Sequence, residues 1–371
     1  MNSSLAHPAA PPRRIRVLVV EDSLTVRKRL LEVLGDDPEL EVVGEAEDGK
    51  RGVELCQALR PDVITLDMMM PVMSGLAATE FIMAYCPTPI LIVSSSTNRG
   101  EVFGTFEALA AGAVDVMEKP RGGETDERWE RKVRATVKLV SRIKVITHVR
   151  ARLGRAAGGA PAAAAIASVL SPEPDRQLVA LGASTGGPGA ILRILSGLPG
   201  SYPLPILFVL HIGVAFGTAF AEWLGGQTAL PVVYASDGAP LPRVGQPGVI
   251  MAPPDRHLIV RDGRLRLTAE AERHFCRPSV DVLFESLARE CGERTIACLL
   301  TGMGRDGAAG LLAIRQAGGL TMAQDEATSV VFGMPMEAIA LGAAARVLPL
   351  DGFAPALCAL AEARPAAKPP A

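Results

Sequence analysis

No stretch of the 371 residues approaches the ~20 consecutive apolar residues that a membrane span needs, although 49% of the chain is hydrophobic. The apolar residues come in short runs broken by Gly, Pro and charge, so no insertion into a membrane is expected. Met1 to Pro12 has no basic start followed by an apolar core, which argues against a secretory signal and for a frayed tail over residues 1–14 of a cytoplasmic protein. The six cysteines (Cys56, Cys86, Cys276, Cys291, Cys298 and Cys358) have neither metal-ligand spacing nor the density of a disulfide scaffold. Reduced, mostly buried thiols are expected. A net charge of −2 calls for no nucleic acid. Two nucleotide-binding signatures are also missing. The glycines of residues 182–189 do not fit G-x-G-x-x-G, and no P-loop lysine follows them.

What the chain does have is alternation. Ile15 to Val20, Glu41 to Ala46, Val63 to Leu66, Ile90 to Val93 and Val114 to Met117 read as short strands. Leu24 to Leu34 and further helix-like stretches lie between them. Five such strands imply a doubly wound parallel sheet, an α/β fold. One more helix is expected over residues 126–149, with Trp129, Val133, Val137, Val140 and Ile143 on one stripe. Residues 121–155 carry 11 Lys/Arg against four Asp/Glu, which we read as a solvated or partner-facing surface. Residues 151–176, with Gly-Gly, four alanines and Pro172/Pro174, have the composition of a linker. The chain therefore divides into a first domain over 15–150, the linker, and a second α/β domain over 177–371. Apolar runs of the second domain are Leu178 to Leu181, Ile206 to Leu210, Val249 to Met251, His257 to Val260 and Ala297 to Leu300.

In doubly wound sheets chemistry gathers at the carboxyl ends of the strands. In the first domain those ends carry Glu21 and Asp22, Asp67, Ser94 and Lys119. The carboxylates of Glu21, Asp22 and Asp67 repel one another unless a hard cation sits among them, and Mg2+ takes such oxygens together with waters and phosphate. Asp67 is then placed to attack a phosphoryl donor, with Lys119 offsetting the developing charge. Ser94 is placed to hydrogen-bond the phosphoryl group, whose added charge moves the neighbouring structure. Pro71 and Gly75 at +4 and +8 from Asp67, and Lys119-Pro120, complete a set that resembles the receiver domain of two-component response regulators over residues 15–120. Val116 stands where receivers often carry an aromatic.

The second domain opens with Gly182-Ala183-Ser184-Thr185-Gly186-Gly187, a strand-to-helix turn that leaves a serine exposed beside helix amides. A serine nucleophile needs a base, and the base needs an orienting acid. His211 follows the run Ile206 to Leu210. Asp306 lies in Thr301-Gly302-Met303-Gly304-Arg305-Asp306-Gly307, after Ala297 to Leu300. The set Ser184, His211 and Asp306 is our choice, with Met303 N–H as an oxyanion donor. An α/β-hydrolase would instead run Ser…Asp…His, for example through Asp237 and His274.

A receiver joined by a linker to these motifs resembles the chemotaxis receptor methylesterase family (CheB). The resemblance extends through Arg277-Pro-Ser-Val-Asp281 and Ala323 to Pro335. It implies a flavodoxin-like receiver phosphorylated on Asp67, and a catalytic serine, histidine and aspartate at Ser184, His211 and Asp306, with Thr185 in support. It further implies hydrolysis of glutamate γ-methyl esters, and deamidation of glutamines, on cytoplasmic helices of methyl-accepting chemotaxis receptors. The phosphodonor implied is a chemotaxis histidine kinase; the esterase reaction needs no cofactor. Leu210 stands where the family usually has Gln, and Met336 where a basic residue is common. Both bear on substrate fit, and an esterase acting on another receptor or another ester is the alternative.

Overall fold

The computed structural model describes residues 13–95, 98–120, 127–143, 145 and 176–362. Most of the expected tail and linker lie outside the described residues; the basic helix ends at Val140, so Ile143 does not join its stripe, and residues 146–149 lie outside the described residues. By contacts the chain divides into two compact units, Met1–Ser94 with Lys119–His148 and Ser95–Glu118 with Val149–Ala371. Each is taken by itself below.

The N-terminal elements are β1 (Ile15–Val20), α1 (Leu24–Gly35), β2 (Leu40–Ala46), α2 (Gly49–Leu59), β3 (Val63–Leu66), α3 (Gly75–Tyr85), β4 (Ile90–Ser94), α4 (Arg99–Ala111), β5 (Asp115–Glu118) and α5 (Glu127–Val140). The sheet order is β2-β1-β3-β4-β5, with β1 paired in parallel to both β2 and β3. Strand order reverses between β1 and β3, and at such a switch point the carboxyl ends of two strands open a crevice. The sheet is apolar on both faces, as helix-covered parallel strands are: Val17, Leu18, Val19, Val63, Ile64, Ile90 and Leu91 are fully buried. The stripe expected on the basic helix is seen, because Trp129, Val133, Val137 and Val140 are the buried residues of α5. On its basic side Lys138 Nζ lies 2.9 Å from Asp37 and 2.7 Å from Glu39, while Arg131 and Lys132 are exposed. β5 begins one residue later than the apolar run suggests.

The C-terminal elements are β6 (Leu178–Ala183), α6 (Gly187–Ser196), β7 (Ile206–Leu210), α7 (Val214–Gln227), β8 (Val232–Tyr234), β9 (Val249–Met251), β10 (His257–Arg261), β11 (Arg264–Thr268), α8 (Val280–Glu290), β12 (Thr295–Leu299), α9 (Ala308–Gln316), β13 (Leu320–Gln324), α10 (Met334–Ala340), β14 (Arg346–Leu348) and α11 (Phe353–Glu362). Seven parallel strands run in the order β14-β13-β12-β6-β7-β9-β8. The chain leaves β6 toward β7 and later returns to its other side with β12, so β6 and β12 flank the switch point.

Two expectations are corrected here. β6 runs two residues past Leu181, because Gly182 is a sheet position: a Cβ there would meet Val280 Cγ1 at 2.3 Å, so its absence lets α8 pack onto the strand. His257 to Arg261 forms an antiparallel hairpin with β11 and takes no part in the main sheet.

Glycine 75, singled out by its spacing from Asp67, has a steric reason. A Cβ on it would come within 2.1 Å of the Asp67 carbonyl oxygen, whereas one on Gly35 meets nothing within 4 Å. Gly75→Ala is therefore expected to lower stability by about 1–3 kcal/mol through overpacking. Gly35→Ala, in the last turn of α1, is expected to leave stability unchanged or raise it by up to about 1 kcal/mol. Urea denaturation of the two variants checks the contrast.

Candidate active site

In the N-terminal unit the expected residues converge. Glu21 and Asp22 follow β1, Asp67 follows β3, and one ligand oxygen from each lies within 4.8 Å of the others. Lys119 Nζ donates to Glu21 Oε1 at 2.8 Å and lies 2.9 Å from Asp67 Oδ2, outside hydrogen-bond alignment. Met68 N–H donates to Asp67 Oδ1 at 2.7 Å. Glu21 Oε2 is buried with no hydrogen-bond donor among the described residues. Burial, and then the Asp67 charge, push the Glu21 carboxyl up to about 7 against the pull of Lys119. Burial likewise raises Asp67 to about 6. Ser94 is fully buried at the end of β4, and its carbonyl accepts from Lys119 N–H at 3.0 Å.

The second constellation stands at the carboxyl ends of β6, β7 and β12. Ladder pairing sets Ala183 beside Leu210, so the next residues, Ser184 and His211, leave adjacent strands together. His211 N–H donates to the Ala183 carbonyl, and Ser184 N–H to the Thr301 carbonyl, each at 3.0 Å. His211 Nε2 and Asp306 Oδ2 are 2.8 Å apart, which makes Nε2 the nitrogen that keeps its proton and leaves Nδ1 facing Cys276 Sγ. Burial of the ring disfavours its charged form, but Asp306 and then Cys276 outweigh that and raise the imidazole to about 9. Ser184 Oγ makes no hydrogen bond among the described residues, to His211 or to any other group.

Asp306 is an anion held in the interior. Ser279 Oγ donates to it at 2.7 Å, Val280 N–H at 2.7 Å and Asp281 N–H at 3.1 Å. The two amides are the first of α8, where the helix dipole favours negative charge. Burial alone would favour the neutral acid; the donors, His211 first, hold the carboxyl below its ordinary range instead. Ser279 also caps α8, accepting from Val282 N–H at 3.4 Å. Behind it, His257 Nδ1 accepts from Ser279 N–H at 3.1 Å while Nε2 donates to the Ala271 carbonyl. Both nitrogens of His257 are thereby spent on structure.

The turn after β12 is clamped from the other side. Gly302 N–H donates to Val331 O, and Gly333 and Met334 N–H groups donate to Gly302 O at 3.1 and 2.8 Å. Gln324, fully buried, accepts from Thr301 N–H and donates to the Thr328 carbonyl. Thr301 Oγ1 donates to the Thr185 carbonyl at 3.0 Å. A Cβ on Gly302 would meet Ser184 Cβ at 2.7 Å and Met334 Sδ at 2.3 Å. Met303 N–H, one residue after Gly302, is left with no acceptor among the described residues, and the Met303 side chain is exposed. Thr185 Oγ1 donates to Asp115 Oδ2 at 3.1 Å.

The Ser…Asp…His alternative finds no support. Asp237 accepts from Leu267 N–H beside the β10–β11 hairpin, and His274 pairs with Asp281 at 3.1 Å. Leu210, in place of the family's Gln, is buried, and Met336 is exposed. Sequence reasoning missed Ser279, Gln324 and Cys276, whose Sγ lies 3.6 Å from His211 Nδ1. Ser279 lay inside a quoted motif, but a serine before a helix reads as a cap and nothing more.

Comparison with known proteins identifies the family. The CheB methylesterase family model matches residues 179–357, and the response regulator receiver domain matches residues 17–125. A protein-glutamate methylesterase/protein-glutamine glutaminase of Nitrosospira multiformis is 44% identical over 354 residues, 94% of this chain and 98% of its own. A second such protein, from Pseudomonas aeruginosa, is 47% identical over 350 residues, 92% of this chain and 96% of its own. The chain belongs to the CheB methylesterase family, a catalytic α/β domain preceded by a receiver.

Ser279→Ala removes a helix cap and a donor to a buried anion together. It should lower stability by about 1–3 kcal/mol. Thermal unfolding of the variant at pH 7 tests this.

Proposed function

We propose that the chain hydrolyses glutamate γ-methyl esters, and deamidates glutamines, on the cytoplasmic helices of chemoreceptors, under control of receiver phosphorylation. The observation that carries the reading is the His211–Asp306 pair at 2.8 Å, formed at the strand ends that also present Ser184. The family to which the chain belongs supports the ester chemistry.

In this reading His211 Nδ1 removes the proton from Ser184 Oγ, which attacks the ester carbonyl. The Met303 N–H donates to the oxyanion. His211 returns the proton to the leaving methoxide, methanol departs, and water hydrolyses the glutamyl-enzyme by the same route. Asp306 keeps the proton on Nε2 and stabilises the imidazolium. Thr185 and Gly302 hold the backbone around Ser184. Met303, in the turn that packs against Ser184, and Met336 are exposed, and such apolar side chains suit a helical substrate better than a small polar ester.

Control lies with the receiver. Mg2+ fits Glu21, Asp22 and Asp67, an all-oxygen set in which Glu21 Oε2 lacks a donor; when bound it supplies positive charge to the incoming phosphoryl group. Asp67 is the acceptor, Lys119 pairs with the added charge and Ser94 hydrogen-bonds it. The phosphodonor is a chemotaxis histidine kinase.

Methanol release from a methylated receptor fragment should rise with a small phosphodonor and Mg2+, and Asp67→Asn or chelation should abolish the rise while leaving the basal rate. Ser184→Ala should lower the rate by about 10³-fold or more, since members of such a set act as a unit. Release at the wild-type rate in Ser184→Ala would refute the assignment.

The pH profile has a definite sign. A base acts unprotonated, and His211 is raised from 6.5 to about 9. At neutral pH most of it carries a proton, so kcat/KM should climb about tenfold per unit from pH 6 and level off only near the raised pKa. A plateau already reached at pH 7 would contradict the pairing.

A further inference from the structure

The strongest unexplained feature is the thiol facing the histidine. Cys276 ends a tight turn in which Arg273 and Cys276 exchange both backbone hydrogen bonds, at 3.1 and 2.9 Å. The two central residues, His274 and Phe275, lie at φ 53° and 61°. This left-handed conformation is unfavourable for a non-glycine residue, and it persists only where the surroundings over-determine it. They do so here. Arg273 is pinned to Glu285 at 2.7 Å and Arg277 to Asp255 at 2.6 Å. The turn throws Phe275 into solvent, 95% exposed, and sends Cys276 inward. Its Sγ donates to the His274 carbonyl at 3.4 Å and lies 3.6 Å from His211 Nδ1.

We propose that Cys276 and His211 form a site for a thiophilic divalent cation of the zinc class, with Asp306 as its orienting carboxylate. Tetrahedral zinc, with bonds of about 2.3 Å to sulfur and 2.0–2.1 Å to nitrogen, sets the two donors about 3.6 Å apart. That is the separation already present, so a cation enters between them without either side chain moving far. Asp306 occupies the position that a carboxylate takes behind a metal-bound imidazole, on the ring's other nitrogen. Its oxygens are held by Ser279, Val280 and Asp281, which keeps it there. One ligand atom from each of the three residues lies within 4.8 Å of the others. Cys276 is only partly buried, whereas Cys56, Cys86, Cys291 and Cys298 are buried.

Donor chemistry sets the selectivity. A thiolate and an imidazole favour zinc-class cations over Mg2+ or Ca2+, so the Mg2+ that suits the receiver's carboxylates does not compete here. Binding replaces the thiol proton and the proton on Nδ1 of the charged ring; both leave to solvent as the sulfur–metal and nitrogen–metal bonds form. The cation then holds the Nδ1 lone pair that Ser184 requires. Its consequence, reversible inhibition, rests on the reading of His211 as the base; the site itself does not.

The test uses the full chain freed of metal. Co2+ is titrated in and the thiolate-to-cobalt charge-transfer absorption followed; separately, Zn2+ is titrated against methanol release, each variant normalised to its own metal-free rate. Cys358→Ser controls for the other partly buried thiol. The expected result is a thiolate band in the wild type and in Cys358→Ser that Cys276→Ser loses, with the zinc midpoint for inhibition raised about tenfold or more by Cys276→Ser. A band that survives Cys276→Ser, or no band in the wild type, overturns the site. A band lost in Cys276→Ser, with wild-type turnover untouched by saturating zinc, keeps the site and overturns His211 as the esterase base.

Discussion

Everything at the catalytic edge depends on one buried negative charge. Asp306 is withdrawn from water, and an unpaired carboxylate there would simply take a proton. Two amides at the start of α8, the Ser279 hydroxyl and the His211 ring keep it ionised. The same bonds fix three separate pieces of chain around one point: the end of β7, the start of α8 and the turn after β12. His211 gains its orientation and its raised basicity from that charge. The charge in turn owes its place to a helix terminus, a scaffold more rigid than any loop.

The packing that lets this happen is done by small residues. Gly182 admits α8 onto the central strand, Gly310 lets α8 and α9 approach closely, and Gly302 lets the turn after β12 lie against Ser184. Each absent side chain brings backbone donors and acceptors within reach of the site. The receiver follows the same logic with different chemistry. There Gly75 permits the loop after Asp67 to fold over it, and burial raises both Glu21 and Asp67.

Much of this was legible in residue order alone. Apolar runs ending in Glu21-Asp22, Asp67, Ser184 and His211 announced both sheets and both edges, because a parallel strand must be apolar throughout and chemistry begins where it stops. Short edge strands such as β8 and β14 were not legible: three residues carry too little periodicity to separate from a loop. The hairpin β10–β11 was half seen, since its first strand carries the apolar run Leu258-Ile259-Val260, while its partner, Arg264–Thr268, has only two apolar residues set between arginines. Asp306 could be named, but its partners could not. Ser279 and Val280 reach it through a helix terminus 27 and 26 residues away, and no local pattern encodes that approach. Cys276 was read as an inert thiol because nothing in its spacing reveals a turn of two left-handed residues.

The central claim is that Ser184, served by His211 and Asp306, is the group that attacks, although Cys276 Sγ lies 3.6 Å from His211 Nδ1. Mapping the adduct of a fluorophosphonate ester by peptide mass spectrometry decides between them most directly. The account predicts a single adduct on Ser184, formed far more slowly in Asp306→Asn. An adduct on Cys276, or none from a preparation that still releases methanol, would contradict it.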